Sequence, residues 1–150
     1  MEARDFFSSD QKATIKNAIQ EAEKNTSGEI RVHLESRCEE DVLDRAAYIF
    51  EQLKMHETAL RNGVLFYLAV KDRKFAILGD AGINAAVPEN FWDIIKEEML
   101  KHFKEEKFTT GLQTGILMAG EQLGEHFPYQ KNDVNELSDD ISFKTKTDDN

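Results

Sequence analysis

Cysteine, basic charge and long apolar runs are all scarce in this chain, and each shortage removes a class of protein. A single cysteine, Cys38, cannot make an internal disulfide, which suits a reducing compartment and sets the expectation of a cytoplasmic protein. The longest apolar run, Val64 to Val70, is far too short to cross a bilayer. The start, Met1-Glu2-Ala3-Arg4-Asp5, lacks the basic region and apolar stretch of an export signal. Nineteen Lys and Arg stand against twenty-nine Asp and Glu, a net charge of −10. Such a surface on average repels phosphate backbones and anionic lipid, so neither nucleic acid nor membrane is an expected partner.

The common catalytic signatures are missing as well: no G-x-S-x-G, no H-E-x-x-H, no phosphate-binding G-x-x-x-x-G-K-[ST] and no C-x-x-C. Cys38 is followed by Glu39, Glu40 and Asp41, the opposite of the electropositive surroundings that activate a thiol, and Asp44 stands where a phosphate-holding arginine is needed. His33, His56, His102 and His126 are scattered, with no pair at metal-ligand spacing.

What is present is one domain's worth of chain, 150 residues with 40% hydrophobic and 32% charged, enough to bury a single core. Ser8-Ser9-Asp10-Gln11 reads as a capping box, opening a helix whose stripe is Ile15, Ala18, Ile19 and Ala22. From Glu29 the period falls to two. Ile30, Val32 and Leu34 point one way and Glu29, Arg31, His33 and Glu35 the other, predicting a strand with one polar face.

A second helix is expected from about Glu40 to Met55 on Leu43, Ala46, Ala47, Phe50 and Leu53. After Asn62-Gly63, Val64 to Val70 reads as a strand buried on both faces, joined through Lys71-Asp72-Arg73-Lys74 to Phe75-Ala76-Ile77-Leu78 as an antiparallel hairpin. A whole helix separates the first strand from the second, so those two should run parallel with a right-handed crossover. Asp80 to Asn84 reads as a loop and Pro88 as the first turn of a third helix bearing Phe91, Trp92, Ile95, Met99 and Phe103. A fourth helix follows from about Thr109, with Leu112, Ile116, Ala119 and Leu123 inward and Gly111, Gly115, Gly120 and Gly124 allowing close approach. The expected fold is α/β, with about four helices around a small mixed sheet. Residues 1–129 form the expected domain, and 130–150 an acidic polar tail that is partly disordered.

This topology places three turns, Thr26 to Glu29, Leu60 to Gly63 and Gly79 to Asn84, at one edge of the sheet. They bring together oxygens of Glu29, Asn62, Asp80 and Asn84 with carbonyls near Gly79 and Gly82. Hard cations such as Ca²⁺ and Mg²⁺ take this mixture of carboxylate, amide and carbonyl oxygen. The cluster is no EF-hand, because the twelfth position from Asp80 is Phe91. The same residues also have plainer roles open to them: glycines for turn dihedrals, Asn62 as a turn residue, Asp80 or Asn84 as caps. At the other end Glu35, Arg37, Glu39, Glu40, Asp72 and Arg73 mix both signs and read as a solvated rim.

Several stretches together resemble the TPM domain, a family named after a thylakoid lumen protein, a photosystem II repair protein and a nematode receptor modulator. They are Thr26-Ser27-Gly28-Glu29-Ile30-Arg31-Val32, Arg61-Asn62-Gly63-Val64-Leu65, Phe75-Ala76-Ile77-Leu78-Gly79-Asp80-Ala81-Gly82-Ile83, Phe91-Trp92 and Phe108-Thr109-Thr110-Gly111-Leu112. The resemblance covers about residues 8–127, and the closing Phe127-Pro128-Tyr129 is similar to a bacterial single-domain branch. It implies an α/β/α sandwich, divalent-cation binding and weak acid phosphatase activity. It also implies Glu29, Asn62, Asp80 and Gly82 as the acidic pocket, to which spacing adds Asn84. The leading expectation is a Ca²⁺- or Mg²⁺-binding domain with at most weak hydrolytic activity and no assigned catalytic residue. A metal-assisted phosphatase, with Arg61 or Arg31 stabilising charge and Glu29 assisting proton transfer, is one alternative. A metal-independent protein-interaction module with an unidentified partner is the other.

Overall fold

The computed structural model describes residues 3–129 and 137–144. Its elements are α1 (Ala3–Phe6), α2 (Ser9–Glu23), β1 (Glu29–Glu35), α3 (Val42–Gln52), β2 (Gly63–Ala69), β3 (Lys74–Gly79), α4 (Ala81–Ala86), α5 (Asp93–Lys104), α6 (Phe108–Leu123) and β4 (Ser142–Phe143), with a 3-10 turn at Met55–Glu57. The four strands form one mixed sheet in the order β3-β2-β1-β4. β1 runs parallel to β2 from Glu29 opposite Gly63 to Glu35 opposite Ala69, and β2 pairs antiparallel with β3. The result is the α/β/α sandwich that the periodicity and the resemblance imply.

The start of α2 follows its sequence signature atom by atom. Ser8 Oγ accepts from Gln11 N at 3.1 Å and Gln11 Oε1 accepts from Ser8 N at 2.9 Å, satisfying two donors that a helix start otherwise leaves open. The inner face of α2 (Ile15, Ala18, Ile19, Ala22), Ile30, Val32 and Leu34 of β1, alternate residues of β2, and the inner faces of α5 and α6 close one core. On the sheet's other face Leu65, Tyr67, Ala69 and Ala76 meet Ala46, Ile49 and Phe50 of α3 and Met55.

Several local expectations need correction. The polar face of β1 is covered: Glu29, His33 and Glu35, the last expected in a solvated rim, are all buried, with α3 packed on that side of the sheet and Leu137 and Ser142 meeting Glu29 and His33. α3 turns Ile49 inward and leaves Leu43 half exposed, while Arg45 from its first turns reaches down to Glu35. The expected loop from Asp80 to Asn84 is instead the start of the short helix Ala81–Ala86, with Asp80 as its N-cap, its carboxylate accepting from Ala81 N at 2.7 Å. Helix α5 begins at Asp93, after Phe91 and Trp92, which pack half-buried against the first core. Residues 130–136 and 145–150 of the expected tail lie outside the described residues, whereas Ser142–Phe143 adds a fourth strand, parallel to β1.

The glycines of α6 allow helices to touch. A Cβ on Gly120 would stand 2.6 Å from Ala22 Cβ and 2.7 Å from Ala22 Cα, while one on Gly115 would meet the Met99 side chain, nearest at Sδ, 2.4 Å away. The α2 backbone cannot yield as a thioether can. Gly120→Ala is therefore expected to cost about 1–3 kcal/mol from overpacking, offset by about 1 kcal/mol of helix propensity. Gly115→Ala should cost distinctly less, and urea unfolding of the two variants checks the order.

Candidate functional site

Parallel pairing of β1 and β2 followed by the β2–β3 hairpin does bring Thr26–Glu29, Leu60–Gly63 and Gly79–Asn84 to one end of the sheet. Glu29 N donates to Asn62 O at 3.2 Å, Asp80 N to Gly63 O at 3.0 Å and Gly82 N to Arg61 O at 2.9 Å. Asn62 Nδ2 donates to Ser27 O at 3.2 Å, and Asn84 Nδ2 to Gly79 O at 3.1 Å. All five residues nominated from the sequence, Glu29, Asn62, Asp80, Gly82 and Asn84, sit on these interlocked segments.

Asp80 is buried, and its carboxylate is gripped by a two-point fork from Arg61: Nε to Oδ2 and Nη2 to Oδ1, both 2.8 Å. The Arg61 side chain is half exposed, and its backbone is left-handed at φ 51°. That conformation, unusual for a residue with a Cβ, turns the chain so that its carbonyl meets Gly82 N. Gly82 is required by proximity: a Cβ there would stand 2.2 Å from Leu60 O and 2.6 Å from Arg61 O. Among the described residues no glycine has positive φ, so the turn-dihedral role does not apply to Gly28, Gly63 or Gly82. Asp80 does take the capping role left open to it, in addition to its pairing with Arg61.

The donors near this end are hard oxygens, which fit Ca²⁺ or Mg²⁺ in kind. Among the described residues no group of three or more His, Cys, Asp and Glu is arranged to hold a metal, so amide and carbonyl oxygens would have to complete a shell. Arg61 occupies both oxygens of Asp80, and an ion would have to take its place.

Glu23, which the spacing did not single out, lies close by. Its Oε2 accepts from Ile30 N at 3.0 Å. Burial, a hydrogen bond with Asp139 and the negative charge of Asp139 and Glu29 push its carboxyl up to about 9, against the lowering effect of Ile30 N–H. Glu29 Oε1 in turn accepts from Leu137 N at 2.8 Å, tying the C-terminal segment to the same corner.

A second polar constellation lies on the covered face of β1. Glu35 accepts from Arg45 Nε at 2.9 Å and Nη2 at 2.5 Å, and from Tyr67 Oη at 2.5 Å. Burial alone would raise its carboxyl, but Arg45, His33 and Tyr67 outweigh it and hold the group well below the usual carboxylate range. His33 Nδ1 is 2.8 Å from Ser142 Oγ and Nε2 is 3.4 Å from Glu35 Oε2. Ser142, His33 and Glu35 thus stand in the order of nucleophile, base and acid. Yet Ser142 is buried and its hydroxyl donates to Val32 O at 3.2 Å, so the row closes the sheet edge rather than facing a substrate. Glu35 accordingly leaves the solvated rim assigned to it. Arg37, Asp72 and Arg73 remain there, Arg37 beside Asp72 at 3.4 Å and Arg73 beside Glu106 at 2.6 Å. The alternation of β1 pointed to His33 and Glu35 as polar; nothing in the spacing announced Arg45, Tyr67 or Ser142 as their partners.

Comparison with known proteins now bears on these turns. A family model described as the TPM domain matches residues 1–122. The chain belongs to the TPM domain family. This TPM-domain chain is 48% identical to the BA42 protein of the psychrophilic bacterium Bizionia argentinensis, over 93% of this chain and 97% of that one, with a TM-score of 0.89. The N-terminal domain of a P. gingivalis protein shares the fold at 21% identity and TM-score 0.67, covering 84% of this chain and 83% of that one. A Corynebacterium glutamicum N-terminal domain does so at 14% and 0.60, covering 91% and 80%. No curated protein matches. Among the described residues, no helix of this TPM-domain chain is long and apolar enough to cross a membrane.

Two predictions follow from the charges around β1. Arg45→Leu leaves Glu35 buried without its fork and should cost about 3–5 kcal/mol in urea unfolding. For Glu23, whose folded value lies above the unfolded one, the stabilising contribution is complete below the ordinary carboxylate range and is lost as pH rises toward about 9. Glu23→Gln should therefore flatten the fall in stability between about pH 6 and about pH 8; an unchanged slope would assign that fall to another group.

Proposed function

We propose that this TPM domain binds a divalent cation, Ca²⁺ or Mg²⁺, at the end of the sheet where Glu29, Asn62, Asp80, Gly82 and Asn84 meet. The observation that carries the reading is the buried Asp80 carboxylate, set among three turns and matched by an arginine that is itself half exposed. The exposed guanidinium can move into solvent, so an ion that gains Asp80 together with nearby amide or carbonyl oxygen competes with it. Glu29, Asn62 and Asn84 supply oxygen of the required kind, and Gly82 lets the Leu60 and Arg61 carbonyls approach the start of α4. Arg61 then acts as the counter-ion of Asp80 that the cation replaces.

Weak metal-assisted hydrolysis of phosphomonoesters is a second reading of the same cluster. Its favouring observation is the Arg61–Asp80 pair, a guanidinium, which suits phosphate, beside a carboxylate, which suits a cation. A bound cation would supply Lewis-acid polarisation of the phosphoryl oxygen, while Arg61 would bind and orient the phosphate.

Backbone amide shifts of the chelator-stripped protein during Ca²⁺ and Mg²⁺ titrations test the first reading. Saturable shifts are expected at Glu29, Asn62 and Gly79 to Asn84. Asp80→Asn keeps a good helix cap and should weaken binding at least about tenfold, whereas Arg61→Gln should tighten it by removing the competitor. Unchanged affinity in Asp80→Asn would exclude this site. Release of p-nitrophenol from its phosphate ester, stimulated by Mg²⁺ and lost in Asp80→Asn, is the expected result for the second reading.

A further inference from the structure

Among the described residues, β1 has β2 on one side and, on the other, the two residues of β4. A strand edge left with open backbone groups is a template for any extended chain. Here it is dressed piecemeal: Glu23 Oε2 takes Ile30 N–H, Ser142 Oγ donates to Val32 O, and Ser142 and Phe143 pair with His33 and Leu34.

The segment that does this is acidic and then aromatic, and the surface beneath it is basic. Asp140 pairs with Lys16 at 2.8 Å, both side chains being largely exposed. The Phe143 ring lies 4.8 Å from the Arg4 guanidinium and 5.4 Å from Lys12 Nζ. A shallow open groove between α2 and the segment is lined by Lys12, Ala13 and Lys16 on one side and Asp140, Ile141 and Phe143 on the other. Arg31 feels the charge of Asp140 from below. In a chain of net charge −10, Arg4, Lys12, Lys16 and Arg31 make this edge a local basic surface. The chain's own segment fills it incompletely. Among the described residues it pairs with two of the seven residues of β1, and Arg31 Nε is buried with no hydrogen-bond partner. The segment also lies beyond the stretch matched by the family model.

We propose that the outer edge of β1 is a strand-addition site, and that residues 137–144 are its internal occupant, displaced by an extended segment of a partner protein. The partner segment carries two consecutive carboxylates, then a hydroxyl and an aromatic residue at the spacing of Asp139, Asp140, Ser142 and Phe143. Backbone pairing supplies the affinity; Lys16 and Arg31 select the carboxylate at the Asp140 position, the Glu23 carboxyl bonds the one at the Asp139 position, and Arg4 and Lys12 hold the aromatic ring. The site meets the cation cluster at one contact, Leu137 N on Glu29 Oε1, but it does not rest on cation binding.

The test uses the isotope-labelled full-length chain and an unlabelled peptide of sequence Leu137 to Lys144. Saturable movement of the chain's own Asp139 to Phe143 amide signals to unstructured positions is expected, with Val32 to Leu34 keeping strand positions. Phe143→Ala loosens the internal occupant and should lower the half-saturating peptide concentration about tenfold. A peptide with both aspartates changed to lysine should displace nothing. Absence of displacement by the native peptide overturns the proposal, and the wild-type titration decides this alone if Phe143→Ala fails to fold. Displacement that follows protein concentration without added peptide, with a dimer in sedimentation, would also overturn it by making the occupant a second copy.

Discussion

Seven residues of β1 lie parallel to seven of β2, in register from Glu29–Gly63 to Glu35–Ala69, and most of the molecule's organisation follows from that pairing. Parallel strands cannot be joined by a tight turn, so the chain must leave Glu35, cross one face as α3 and re-enter at Gly63. The turn before β1 and the turn before β2 therefore meet at the same end. The antiparallel return of β3 adds Gly79 and Asp80 to them. The candidate site is thus a property of strand direction, and its backbone frame, Glu29 N to Asn62 O and Asp80 N to Gly63 O, is part of the sheet's own ladder extended by one step.

The two faces of that sheet are built on different physics. One is closed by aliphatic and aromatic side chains from α2, α5 and α6. Its partner carries Glu29, His33 and Glu35 into a buried layer, where polar groups need partners. Arg45 reaches down from α3 and Tyr67 across from β2 for Glu35. Leu137 and Ser142 come from the C-terminal segment for Glu29 and His33. Polar groups so arranged favour one register, because sliding β1 by a residue would place carboxylates among Ile19 and Ile116.

Periodicity was enough to read the hydrophobic half of this design. Ile15, Ala18, Ile19 and Ala22 form the inner stripe of α2, the continuous run Val64 to Val70 marks a strand buried on both faces, and the crossover rule sets β1 parallel to β2. The three turns of the candidate site were legible for the same reason, since strand direction alone brings them together. The polar half was not. Alternation of charge along β1 has the same pattern whether water or α3 covers it, and only the long-range partners tell the two apart. Asp80 to Asn84 read as a loop and Gly82 as a residue for turn dihedrals, but the reason for that glycine, two carbonyls within 2.6 Å of where its Cβ would be, exists only in three dimensions. Ser142 and Phe143 lie in a segment whose composition is that of a tail; two residues of pairing leave no periodic signal.

Glu23 has a consequence for how this chain behaves in crowded solution. By holding the Ile30 N–H with a side chain, it withdraws one rung from the ladder that β1 offers to its outer side. A foreign strand can therefore align only along the later part of β1, and it meets a carboxyl group before it reaches the start. Growth into a continuous stack of strands needs an uninterrupted row of donors and acceptors. One acidic side chain at the end of α2 thus keeps the edge receptive to a short segment while denying it the length from which fibrils propagate.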